Sequence, residues 1–182
     1  RHALARSASA LAKLRGDEEL EAETLRYFQE VTNLVPAGWP LYNRLAAEYL
    51  TTGRPEAALE PLQRSLAITG DNRHSARAFL IRGIAYRELG RLRESVGEFD
   101  VLLRLIPDDN RAYNHRALTY FVLGEPQRAL KDLDEALRIF PDYVEAHSNW
   151  GFVHRELGHP LKAISSLDEA IRLVPQFEPA YN

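Results

Sequence analysis

The chain has 182 residues, 45% of them hydrophobic and 27% charged, with a formal net charge of −3. That is enough apolar material for a sizeable core, and it excludes a disordered tail, a collagen-like chain and a small disulfide scaffold. Cysteine is absent, so there is no disulfide, thiolate nucleophile or cysteine metal site; no apolar run approaches the roughly 18 residues of a membrane span, and the mild acidity argues against wrapping nucleic acid by bulk charge.

Residues 1–16 are basic and free of acids, a composition with a slight likeness to a transit peptide. The stronger reading is helical, because Leu4, Ala8, Leu11 and Ala12 fall on one face at helix spacing. Asp17, Glu18, Glu19, Glu21 and Glu23 cluster where a helix is expected to begin, which suits its dipole. Methionine is absent and the chain opens on Arg1, so a fragment or processed chain is expected, and a cytoplasmic location is no more than the default.

Further along the chain a repeat emerges. Gly53, Gly90, Gly124 and Gly158 lie 37, 34 and 34 residues apart, and Pro107, Pro141 and Pro175 lie 34 and 34 apart. Ala46, Gly83, Ala117 and Gly151 hold small residues in the same phase, and Ala58, Ser95, Ala129 and Ala163 do so twelve positions later. Aromatic rings recur at Tyr42, Phe79 and Tyr113 and again at Tyr49, Tyr86 and Tyr120, while Leu62, Phe99, Leu133 and Leu167 close the unit. A glycine inside a helix costs roughly 1 kcal/mol relative to alanine, so one recurring at fixed phase marks a left-handed helix end. Pro55, Pro126 and Pro160 follow two residues later, suited to the first turn of the next helix. Each unit therefore reads as helix, tight turn, helix, with the paired small residues letting the two backbones approach. One such hairpin cannot bury its own apolar face, but stacked hairpins can.

The expected fold is all-α, a right-handed α-solenoid of stacked antiparallel hairpins. Four repeats are predicted over 39–72, 76–109, 110–143 and 144–177. Residues 1–38 form a degenerate helical repeat with Phe28, Val31 and Pro36 in register, and 178–182 start a further repeat. The additional residues in Gly70–Ser75 read as a tolerated loop insertion.

Tyr113, Ala117, Tyr120, Gly124, Ala129, Leu133, Ala136 and Pro141 stand at the offsets of the tetratricopeptide repeat, and the chain resembles that family over residues 39–177. It departs from the pattern where Gly70 replaces the terminal proline, Arg82 and Arg116 replace leucine, and His147 and His154 replace aromatics.

No phosphate loop, dinucleotide fingerprint or nucleophile elbow occurs. His154 and His159 superficially suggest a zinc-protease motif, but the spacing is wrong and Gly158 is expected to break the helix and keep the two rings apart. His147 and His154 read as packed, hydrogen-bonded ring substitutes. Asp100–Arg104, Asp134–Arg138 and Asp168–Arg172 have the i,i+4 spacing of helix-surface ion pairs. No catalytic residue, cofactor or metal site is expected.

What remains is a surface. The resemblance implies that the first helices line a concave groove for an extended peptide or a partner helix. Carried onto this chain, the groove positions are Asn43, Arg44, Ala47 and Leu50, then Arg77, Leu80, Ile81, Ile84 and Arg87. The third and fourth repeats supply Arg111, Asn114, His115, Leu118 and Phe121, and Glu145, Ser148, Asn149, Phe152 and Arg155. This floor is apolar with arginine punctuation, so an acidic–hydrophobic peptide is the natural complement. Asn43, Asn114 and Asn149 are candidates to hydrogen-bond a peptide backbone. The clamp by which some family members grip a chaperone's terminal carboxylate is not matched in residue type.

The expected function is thus a non-catalytic protein-interaction scaffold with a protein or peptide partner and neither nucleic acid nor membrane. The alternative is a targeting or regulatory repeat domain of a larger enzyme such as a glycosyltransferase. A solenoid also needs a polar terminal cap. The edge formed by Ile164, Leu167 and Ile171 is therefore expected to be partly exposed, and to be covered by self-association or a continuing repeat.

Overall fold

The computed structural model describes residues 38–173, together with Glu23, Arg26, Tyr27 and Glu30. The expected terminal helix, the degenerate repeat with Phe28, Val31 and Pro36, and the start of a further repeat at 178–182 lie outside the described residues. The described residues form eight α-helices and no strand. The chain divides into two compact units, Arg1–Gly90 and Arg91–Asn182.

In the first unit α1 (Trp39–Thr51) and α2 (Pro55–Thr69) form a hairpin, and α3 (Ala76–Glu88) packs against both. Gly53 turns the hairpin at φ 68°. The Gly53 N–H donates to the Leu50 carbonyl at 3.0 Å and the Arg54 N–H to the Tyr49 carbonyl at 2.8 Å, so two otherwise orphaned carbonyls at the helix end are satisfied. Leu45, Ala46 and Tyr49 meet Ala58 and Leu62 across the hairpin and Ala78, Ile81 and Ala85 from α3. Gly70 ends α2 at φ 63°, so it terminates the helix by a left-handed turn where proline does so elsewhere. The inserted residues fold into a 3-10 turn, Arg73–Ser75, whose start is fixed by Asn72. Its side chain accepts the His74 N–H at 2.8 Å, and the buried Ser75 hydroxyl accepts the Asn72 N–H at 3.1 Å.

The second unit runs through α4 (Leu92–Leu105), α5 (Asn110–Val122), α6 (Pro126–Ile139), α7 (Val144–Glu156) and α8 (Pro160–Leu173). Asp109 caps α5, accepting the Arg111 and Ala112 N–H groups at 3.0 Å each. Gly124 and Gly158 repeat the turn of Gly53 at φ 78° and 74°. Ala117, Tyr120, Ala129, Leu133, Ala136, Ala146 and Val153 form one core cluster. The predicted small-residue pairing is direct between α7 and α8: a Cβ on Gly151 would sit 3.1 Å from the Ala163 carbonyl oxygen and 3.0 Å from Leu167 Cγ.

The expected aspartate–arginine pairs need correction. Asp100, Asp134 and Asp168 do not pair with the arginines four residues on. Arg138 and Arg172 pair instead with Glu135 and Glu169 one helical step nearer, and Asp134 accepts the Trp150 indole N–H at 3.0 Å. Asp100 is drawn off by Arg116 on α5 (2.6 Å), whose guanidinium also grips buried Asp132 on α6 through two bonds of 2.7 and 2.8 Å. The Tyr113 and Tyr120 rings lie 5.5 and 5.8 Å from the same guanidinium. Arg116 thus occupies a leucine position by bringing its own counterions, which hold its pKa well above the ordinary arginine value despite burial.

The last helix is asymmetric. Ala163, Ser166 and Ala170 face α7 and are buried, whereas Leu161 (82%), Ile164 (55%), Leu167 (39%) and Ile171 (67%) are exposed.

The glycine turns make a paired prediction. At Gly124 a Cβ meets nothing within 4 Å but φ is +78°, so Gly124→Ala should lose about 1–2 kcal/mol. Gly97 sits exposed inside α4 with equal space and no positive φ, so Gly97→Ala should gain up to about 1 kcal/mol. Urea unfolding of the two variants checks both signs.

Candidate functional site

In the first unit the expected groove residues divide by burial. Arg77 on α3 is exposed and has no ion-pair partner among the described residues, while Arg44, Leu80, Ile84 and Arg87 are half-buried. Asn43 is wholly buried, and neither its amide nitrogen nor its oxygen has a hydrogen-bond partner among the described residues. It therefore cannot present its amide to a peptide lying on the surface.

The second unit has a defined cleft of about 800 Å³. Helix α5 contributes Asn114, His115 and Leu118, and α7 contributes Val144, Glu145, Ser148 and Asn149. Leu167, Ala170 and Ile171 of α8 make the far wall. The Asn149 amide N–H donates to the Asn114 carbonyl oxygen at 2.8 Å, tying the two first helices together. Asn114 is buried and occupied by this bond, whereas the Asn149 carbonyl oxygen has no hydrogen-bond partner among the described residues. His115 lies parallel to Phe99, ring centroids 6.1 Å apart.

Further along the same two helices Phe121 and Phe152 meet edge to face at 5.1 Å, and the Arg155 guanidinium lies 4.9 Å over Phe152. Arg111 and Arg155 are exposed and held by neighbours, Asp109 at 3.0 Å and Glu156 at 2.8 Å. Position counting along first helices missed Val144 and the α8 wall. The signal was present, since Leu167 and Ile171 were legible as an exposed edge; the cleft and that edge are one continuous apolar surface.

The histidines also differ in part from expectation. His147 Nε2 lies 2.8 Å from the Pro141 carbonyl oxygen, and buried His154 packs on Trp150 at 3.8 Å between centroids. His159, however, is not held apart: its Nδ1 lies 3.1 Å from Nδ1 of His154. The left-handed turn at Gly158, which ends the helix, folds the chain back and returns the second ring to the first. Among the described residues no group of three or more acids and histidines is placed to hold a metal ion. No described helix is long and apolar enough to cross a membrane.

Burial, with Lys162 and His159 alongside, holds His154 below the ordinary imidazole range, and only Asp134 opposes this. As pH falls through about 6.5 the unfolded chain takes up a proton on this ring and the folded chain resists it. This contribution to stability is therefore intact above that pH and lost progressively below it. Thermal melts should show a falling midpoint between about pH 7 and 5.5, with a shallower fall in His154→Gln. Asn43→Leu, which removes an unpaired buried amide at a position where the next repeat carries Leu80, should raise stability by about 1–3 kcal/mol. Loss of stability in urea unfolding would contradict that account of the side chain.

Sequence models described as tetratricopeptide repeat match residues 43–110 and 111–143. No curated protein matches the chain. Among solved structures, the thermophilic tetratricopeptide protein TTC0263 of Thermus thermophilus is similar at 20% identity, covering 95% of this chain and 93% of its own, with TM-score 0.76. MamA from Desulfovibrio magneticus RS-1 is similar at 16% identity, covering 96% of each chain, with TM-score 0.71. YrrB, described as a tetratricopeptide protein with an unusual peptide-binding site, is similar at 16% identity, covering 93% of this chain and 84% of its own, with TM-score 0.63. At these identities the likeness carries the fold alone. The two matches adjoin and together span residues 43–143; the fold is an all-α helical repeat of the solenoid class and the chain belongs to the tetratricopeptide repeat family.

Proposed function

We propose that this protein is a non-catalytic interaction scaffold that binds an extended peptide or partner helix with apolar anchors flanked by acidic residues. Protein interaction is the general role of tetratricopeptide repeats, and the cleft on α5, α7 and α8 is the observation that carries the reading here. It has the size and apolar lining of a ligand site with few, placed polar groups. Leu118, Val144, Leu167 and Ile171 offer apolar contact, and the Asn149 carbonyl oxygen, without a partner among the described residues, is placed to accept a ligand N–H.

Arginine supplies the preference for acid. Arg77 is unpaired among the described residues of the first unit. Arg111 and Arg155 are held only by exposed or neighbouring carboxylates. The Arg155–Glu156 pair is a surface pair, worth about 0–1 kcal/mol, so exchanging Glu156 for a ligand carboxylate costs little, whereas Arg111 pairs with the buried Asp109 that caps α5. Peptide binding by YrrB supports the same use of the fold.

The test is a titration of peptides selected from an acidic–hydrophobic library. Leu118→Asp should weaken binding at least about tenfold without changing the circular dichroism spectrum. Ile84→Asp reports separately on the first unit. Undiminished binding in both variants would remove the groove reading.

A further inference from the structure

The turn between α7 and α8 holds two imidazoles where the earlier repeats hold none. Counting back 34 residues, His154 and His159 correspond to Tyr120 and Glu125, and before those to Tyr86 and Arg91. The backbone of the turn fixes both positions. The His159 N–H donates to the His154 carbonyl at 2.9 Å, as the Glu125 N–H does to the Tyr120 carbonyl at 2.9 Å. His154 is buried and its ring is pinned on Trp150. His159 is exposed and lines an open hollow of about 300 Å³ with Pro160, Leu161 and Lys162. Its Nδ1 comes to 3.1 Å from Nδ1 of His154. The turn that was expected to separate two ligand-type side chains therefore places them together beside an opening to solvent.

We infer that His154 and His159 form a two-histidine site for a divalent transition-metal ion, bound between their Nδ1 atoms. One ion holding two neighbouring nitrogens at about 2.0–2.1 Å sets them about 2.8–3.4 Å apart, from square-planar to tetrahedral angles. The observed 3.1 Å falls inside that interval. In the metal-free pair one Nδ1 carries a proton and donates it to the lone pair of the other. The ion takes the place of that proton, which leaves to solvent, and the exposed His159 ring pivots to turn its lone pair onto the ion. Imidazole nitrogen suits copper(II), nickel(II) and zinc(II), with copper(II) bound tightest.

Among the described residues no third histidine or acid is placed to join the pair, so water fills the remaining positions. Lys162 opposes a cation at His154, and Asp134, held by the Trp150 indole, favours one. The affinity is therefore moderate and the ion is exchangeable. Neither histidine lines the cleft on α5, α7 and α8, so this inference stands apart from the peptide reading.

The experiment is a copper(II) titration of the untagged chain carrying Trp39→Phe, which leaves Trp150 as its single tryptophan. Trp150 stands 3.8 Å from His154 between ring centroids, and its fluorescence should be quenched saturably at one ion per chain. Zinc(II), which has no redox chemistry, should compete with copper(II) and restore the fluorescence. His159→Gln removes one ligand at an exposed position and should weaken copper(II) binding at least about tenfold, with the circular dichroism spectrum unchanged. Excess zinc(II) should also raise the thermal midpoint of the parent chain and leave that of His159→Gln where it was. Quenching that never saturates would overturn the proposal. So would a His159→Gln variant that binds copper(II) as tightly as its parent, which would make the ion adventitious on other imidazoles. Leu118→Asp should bind copper(II) normally, so the two readings fail separately.

Discussion

A two-helix hairpin has more apolar surface than its own two helices can cover, and the organisation of the second unit follows from that constraint. The seam between α7 and α8 is closed where Gly151 lets the Ala163 backbone come close. The outer face of α6 is closed only because α7 lies on it. Each hairpin therefore owes part of its burial to the one after it, and the shortfall is visible on α8. There the buried positions of α6 reappear as exposed leucine and isoleucine. The cleft is the same shortfall seen from the inner side, with its far wall made of these side chains.

Charge is arranged around this apolar frame. Arg116 takes a position where the family carries leucine, and it is accommodated because Asp132 and Asp100 from the flanking helices reach it. Removing one partner from such a group leaves an uncompensated charge, whereas the intact set is close to neutral in stability. Its effect is geometric: one guanidinium links α4, α5 and α6. The Asn114–Asn149 bond does the same on the inner face between α5 and α7.

The repeat was legible because its signals are obligatory. Only glycine sits at φ 68–78° without strain, so Gly53, Gly124 and Gly158 announced the turns. The small pair Gly151 and Ala163 announced the close approach. Side-chain choices among several partners were less legible. Asp100 has an arginine four residues on and another on the next helix, and sequence spacing sees only the first. His154 and His159 are separated along the chain by a helix end, yet the turn at Gly158 that ends the helix also reunites them. The repeat register marks inner-face positions on the first helices alone, which hides the contribution of α8. The same register assigns Asn43 and Asn114 a surface role that their burial does not permit.

Packing in the second unit joins helices that are adjacent in the chain, or next but one. Contacts of such short sequence separation close small loops, and chains built from them reach the native state fast, in microseconds to milliseconds. No strand from one end of the unit has to wait for a strand from the other. During synthesis, α5 can dock on α4 and α6 on α5 as soon as each leaves the ribosome. Among the described helices of the unit, the ridge of α8 is then the last apolar surface to be presented, when the helices before it are already folded.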